Sequence, residues 1–248
     1  AVDEHGWNLT SSAGWTGDNR RLTAHNTIES ACVDGCRDAG IRVSRGDRVQ
    51  DCIAKQLPPG DGRRRFSSLP VSDPAVKAVV PDIILHTGPG QDIGGDRGPT
   101  DIWMDIKTLS SRGLYVRARR PSPCHATRLR QSMVVSDYNK RADKADATYF
   151  RYLDSADGPP PFSRILAAHP LVRGLVVGMF GEFSGDVDQL LKFVALHKAE
   201  RWARATDLDA ADVQGDIAWA LRRKWAYTAH RAYARSRLEA AHYYVSHG

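Results

Sequence analysis

Residues 101–109 read Asp-Ile-Trp-Met-Asp-Ile-Lys-Thr-Leu, and residues 76–85 read Val-Lys-Ala-Val-Val-Pro-Asp-Ile-Ile-Leu. Both runs are dense in aliphatic and β-branched residues, the pattern of a buried strand. The fourteen residues Thr-Gly-Pro-Gly-Gln-Asp-Ile-Gly-Gly-Asp-Arg-Gly-Pro-Thr that end at Thr100 are turn formers, so they read as the connection between two strands. Strands joined in this way pair antiparallel. Side chains alternate along a strand, so Asp105 and Lys107 point to one side. Asp82, at the start of the neighbouring run, meets them there once the strands pair. The reading therefore gathers two carboxylates and one ammonium at a single place.

Working outward, Leu22, Ile28, Cys32 and Cys36 recur at helical spacing, which predicts a helix over 22–39 with Gly40 just past its end. Ile41 to Val43 reads as a short strand, and Val49, Cys52 and Ile53 mark a second amphipathic stretch. Residues 58–74 are rich in Pro, Gly and Ser and read as loop. Beyond the second strand, a long helix is predicted from Ala126 to Tyr149, with a break near Ser136. The apolar run from Val172 to Phe180 has the character of a fully buried strand. Ser184 suits a helix N-cap, with Asp186 and Asp188 in the first turn where the helix dipole favours acids. Leu190, Leu191, Val194 and Trp202 form the inner stripe of that helix. A last helical region covers Asp209 to Val245, with Trp219, Trp225 and Tyr233 read as its core side.

The fold class is therefore α/β: a helix, three strands, a helix and a strand, followed by a helical C-terminal extension. The boundaries are an irregular arm over 1–20, a core over 21–183 and the extension over 184–248.

The composition fits a globular chain, with 248 residues of which 42% are hydrophobic. A formal charge of +6 favours anionic partners. Its distribution says more. Lys107 to Lys144 holds many basic residues against only Asp137 and Asp143, and Trp219 to Arg237 holds no acid. Such segregation suits phosphate binding, although solvated helix faces give the same pattern. No run is long and apolar enough to span a membrane, and residues 1–10 lack a signal-peptide core. Four cysteines are too few for a stapled secreted fold. These features lead to the expectation of an intracellular protein. The missing initial Met and the arginine-rich, glutamate-poor style suggest a segment of a larger, mobile-element protein.

Two acids beside a lysine suit Mg²⁺, which takes few carboxylates and keeps waters and phosphate oxygens. A metal so held acidifies water and polarises phosphorus, while the lysine orients the water or stabilises developing charge. Pro81-Asp82 followed by Asp105-Ile106-Lys107 resembles the PD-(D/E)XK, or restriction-endonuclease-like, nuclease superfamily. The resemblance spans about two thirds of the chain, and the family's core has the same order of elements. It implies a catalytic set of Asp82, Asp105, Lys107 and Glu29, and a metal set of Asp82, Asp105, Glu29 and the Ile106 carbonyl. Mg²⁺ or Mn²⁺ is the implied cofactor, DNA the partner favoured over RNA, and endonucleolytic cutting the implied reaction. The helix after the second motif would contact the scissile phosphate through Gln131 and Lys140, with Tyr138 and Lys144 beside them.

Arg117, Arg119 and Arg120 form a basic turn suited to flanking phosphates. Arg223, Tyr227, Arg231 and Arg235 make a ridge at four-residue spacing that suits a nucleic-acid backbone, or an ordinary solvent face. Asp92, Asp96, Asp101 and Glu182 read more simply as loop or helix-entry acids. Cys32, Cys36 and the Cys124-His125 pair lack zinc-site spacing. Two other classes stay open: a non-catalytic nucleic-acid-binding module on this fold, and a helical protein-interaction domain.

Overall fold

The computed structural model describes residues 18–45, 81–87, 101–109, 126–134, 136–138, 140 and 172–247. The elements run α1 (Asp18–Asp38), β1 (Arg42–Arg45), β2 (Ile83–His86) and β3 (Asp101–Thr108). The helical residues 126–134, with 136–138 and 140, form α2. Then come β4 (Arg173–Val177), α3 (Gly185–Ala205) and α4 (Ala210–His247). The fold is mixed α/β, with the strands in one four-stranded sheet in the order β1-β2-β3-β4. The antiparallel pairing expected of the two apolar runs is present, with Ile83 opposite Met104 and His86 opposite Asp101. β2 begins at Ile83, after Pro81, which has no N–H to give a ladder. Residues 76–80 lie outside the described residues.

The chain divides into two compact units, and the division falls inside β3, between Asp105 and Ile106. The first unit holds α1, the end of β3, α2 up to Ser132, β4 from Gly174, α3 and α4. Within it, α1 presents Ala24, Ile28, Cys32, Val33 and Cys36 to the interior and Asn26, Asp34 and Arg37 to solvent. This is the i, i+4 stripe of an amphipathic helix. The helix ends in a Schellman arrangement: Ile41 N–H donates to Cys36 O at 2.9 Å and Gly40 N–H to Arg37 O at 2.8 Å. Gly40 has φ 78°, the left-handed conformation that a residue without Cβ adopts at least cost.

The helices α3 and α4, read from the sequence as an extension, belong to the same unit as α1 and pack with it. The seam between α1 and α4 is close. A Cβ on Gly35 would lie 2.9 Å from Cζ2 of Trp225, so glycine is what lets the ring lie against the α1 backbone. α3 buries Val187, Leu190, Leu191, Phe193, Val194, Ala195 and Ala199. Trp202, expected on that stripe, is 54% exposed, because the covered face of α3 ends at Ala199. Trp219 likewise is 61% exposed, whereas Trp225 and Tyr233 are buried as expected.

Ser184 does stand at the N-cap of α3, but its side chain makes no capping hydrogen bond. Its hydroxyl is buried against β4, where it donates to Gly174 O at 2.9 Å and accepts from Val176 N–H at 3.0 Å. The helix start is instead supported from elsewhere. Gln131 Oε1 accepts from Gly185 N–H at 3.1 Å, and Asp186 Oδ2 accepts from Gly174 N–H at 2.9 Å.

The second unit holds β1 from Val43, β2, β3 through Asp105 and α2 from Met133. Ile83, Ile84 and Leu85 are fully buried, as are Trp103 and Met104, which suits the two inner strands of a sheet. Ser44 Oγ and His86 Nε2 lie 2.9 Å apart and tie β1 to β2.

Candidate functional site

The β2–β3 register decides where the two aspartates stand. The ladder ends at Ile83 opposite Met104; Asp82 precedes that pair, in a bend outside the strand, and Asp105 follows Met104 within β3. Both sequence-predicted acids therefore lie in the second unit, each one residue beyond the last ladder pair. Asp82 is half-buried at the bend before β2, and Asp105 is only 2% exposed. A carboxylate that deep is costly unless donors or a cation attend it. Tyr138 of α2 is one such donor, its hydroxyl lying 3.3 Å from Asp105 Oδ1. Lys140 is exposed on the same helix.

Alternation along β3 gives Lys107 the side of the strand that Asp105 takes. Lys107 is half-buried, and Ile106 between them is fully buried. Glu29 sits half-buried on α1 in the first unit, where His25 Nδ1 lies 3.9 Å from its Oε2. Among the described residues no group of three or more His, Cys, Asp or Glu is placed to hold a metal ion. Gln131 is engaged at the start of α3, as described above. Arg117, Arg119 and Arg120, with Asp92, Asp96, Lys144 and Cys124-His125, lie outside the described residues. Cys32 and Cys36 are buried free thiols; burial pushes Cys36 up to about 12, and Cys32 higher still. They behave as small apolar core residues.

On α4 the predicted ridge is fully on the outside: Arg223, Tyr227, Arg231 and Arg235 are all exposed. Arg223 stacks over the Trp219 ring at 4.4 Å, and Arg231 lies 5.7 Å from the Tyr227 ring centroid. Arg235 is tied to Glu239 at 2.8 Å. The ridge thus presents two guanidinium–aromatic pairs one after the other, and Trp219, read as core, is part of it.

Sequence reasoning missed two features. One is the hydrogen bond of Tyr138 to Asp105, which no local signal marks, since the pairing depends on how α2 meets β3. The turn after β4 was also missed. Gly178 N–H donates to Glu182 O at 2.9 Å, and Val177 and Phe183 form an isolated antiparallel bridge. Gly181 has φ 77° and lies so near His230 Nε2 that a Cβ would come within 3.0 Å. Burial holds the Glu182 carboxyl above its ordinary value, although the Phe180 N–H and nearby His230 pull the other way. No described helix is long and apolar enough to cross a membrane. No family model, curated protein or solved structure matches the chain.

Proposed function

We propose that the chain is a metal-dependent nuclease that hydrolyses phosphodiester bonds, cutting DNA in preference to RNA and acting as an endonuclease. The observation that supports this reading is the β2–β3 register: Asp82 and Asp105 each stand one residue beyond its last pair, Ile83 and Met104. Two acids so placed suit Mg²⁺, whose site asks for one or two carboxylates with water and phosphate oxygens completing it. Held by Asp82 and Asp105, the ion would neutralise phosphate charge and make a bound water a better nucleophile. Glu29 and the Ile106 carbonyl are further ligands that the family resemblance adds and that rest on it alone.

The protein's own groups have distinct tasks in this scheme. Tyr138 holds Asp105 by its Oδ1, fixing how the carboxylate faces the substrate. Lys107 orients the attacking water and stabilises charge that builds on the phosphate oxygens. The α4 ridge lends guanidinium groups for the backbone and exposed rings for unstacked bases. That same ridge favours the second reading, a binding module with no turnover.

Plasmid and single-stranded DNA, incubated with Mg²⁺, Mn²⁺ or EDTA, separate the two. Wild type cuts with either metal and not with EDTA; Asp105→Asn and Lys107→Ala each lower the rate by at least about 100-fold. Equal cutting by wild type and Lys107→Ala removes the mechanism. Salt-sensitive binding without any cleavage supports the second reading instead.

A further inference from the structure

The first unit contains a cavity of about 430 Å³ between the turn after β4 and the middle of α4. It is open to solvent: Met179 and Tyr233 are buried at its base, Phe180, Ala234 and Leu238 are exposed along it, and the polar groups on it are His230 and Arg237. The volume lies in the range of pockets that take small molecules, and an apolar wall with few polar groups is their usual make-up. The cavity shares no residue with the acids of β2 and β3.

Arg237 is the informative member. A guanidinium has five N–H donors and cannot give up its charge. Its Nε is buried and has no hydrogen-bond partner among the described residues. Its Nη2 reaches only the Met179 sulfur, at 3.8 Å, a weak acceptor. That Nε–H is a buried donor left short of an acceptor. The fixed walls around it are well made: Tyr233 is anchored by its hydroxyl, which donates to Val177 O at 3.2 Å, and Gly181 packs against His230 and Ala226.

We infer that this cavity binds a small amphiphilic monocarboxylate, an aliphatic or aromatic acid, with the carboxylate on Arg237 and the apolar body against Met179, Tyr233 and Leu238. A carboxylate matches the planar guanidinium fork. A single negative charge suits one guanidinium better than a phosphate dianion does. The inference does not rest on the nuclease reading and stands or falls separately.

The test is calorimetric titration of the full chain with octanoate, 1-octanol and acetate. Octanoate binds saturably with one site, and acetate, lacking the body, does not. Arg237→Met weakens octanoate at least about ten-fold and leaves 1-octanol unchanged. Ala234→Trp, at an exposed helical position on the rim, fills the space and abolishes both, with an unaltered circular dichroism spectrum as proof of folding. Failure of octanoate to saturate wild type overturns the assignment. So does octanoate binding that survives both substitutions, and so does association with anionic vesicles in place of free octanoate.

Discussion

Two buried regions of the molecule are built on different terms. The buried faces of α1 and α4 are small or apolar: Ala24, Ile28, Cys32, Val33 and Cys36 on one helix, Leu221, Trp225, Ala229 and Ala232 on the other. Gly35 is there so that Trp225 can approach. Along β2 and β3 the interior is just as apolar from Ile83 to Leu85 and from Ile102 to Met104, and then admits Asp105. Apart from Trp225 Nε1, buried with no hydrogen-bond partner among the described residues, packing accounts for these side chains. It does not explain an acid at 2% exposure, whose desolvation works against folding. An element that carries such a cost without a packing gain is where chemistry is to be sought.

The contrast predicts that changes in the seam act on stability and spare turnover. Trp225→Ala removes a buried indole and lowers the unfolding free energy by about 3–5 kcal/mol. Gly35→Ala acts on the same contact from the other side, by overpacking, with a loss of about 1–3 kcal/mol. Because both changes act on one contact, the pair is non-additive: with the indole gone, the new Cβ at Gly35 costs little. Urea unfolding of the two single variants and the double variant measures this. Additive losses would show that the ring does not rest on Gly35, and an equal drop in cutting rate would erase the distinction between the regions.

How far the sequence could be read follows the same division. The α1 stripe and the Gly40 cap depend on residues within one or two turns of each other, so spacing alone finds them. The β2–β3 pairing was also legible, since two apolar runs flank one Gly-rich connection. What failed was information set by distant chain. Ser184 has the identity and place of an N-cap, yet its hydroxyl is taken by Gly174 and Val176 of β4. Trp202 and Trp219 follow the apolar period of their helices, but the period does not say how far the covering surface extends. Tyr138 lies 33 residues from Asp105, and nothing local couples them.

A smaller effect sharpens the comparison, because the first unit has its own half-buried acid. Burial raises Glu182 above its ordinary value of 4.5. A raised carboxyl means that the folded state binds the proton more tightly than the unfolded state does. Its stabilising contribution is therefore complete below about pH 4.5 and is lost as pH rises through the folded value. Glu182→Gln keeps an acceptor for Phe180 N–H and removes the titration. Urea midpoints collected from about pH 4 to about pH 8 should decline less for this variant than for wild type. Parallel profiles would mean that the carboxyl is no harder to ionise in the fold than outside it.

The smallest expected effect concerns the outer face of α4, opposite in character to its seam. Leu221, Trp225 and Ala229 go inward, while Arg223 and Arg231 lie outside on exposed aromatic rings. Replacing both arginines by Gln leaves the buried side untouched, so thermal stability should stay within about 0.5 kcal/mol of wild type. If each arginine meets one phosphate, the slope of log affinity for DNA against log salt falls by about 1.4 to 1.8, according to whether single or double strands are bound. Arg235→Gln adds less, since Glu239 already holds that guanidinium. Fluorescence anisotropy across a salt series reads the slope directly. An unchanged slope would return the ridge to an ordinary solvated helix face, and α4 would then serve the fold through its inner stripe alone.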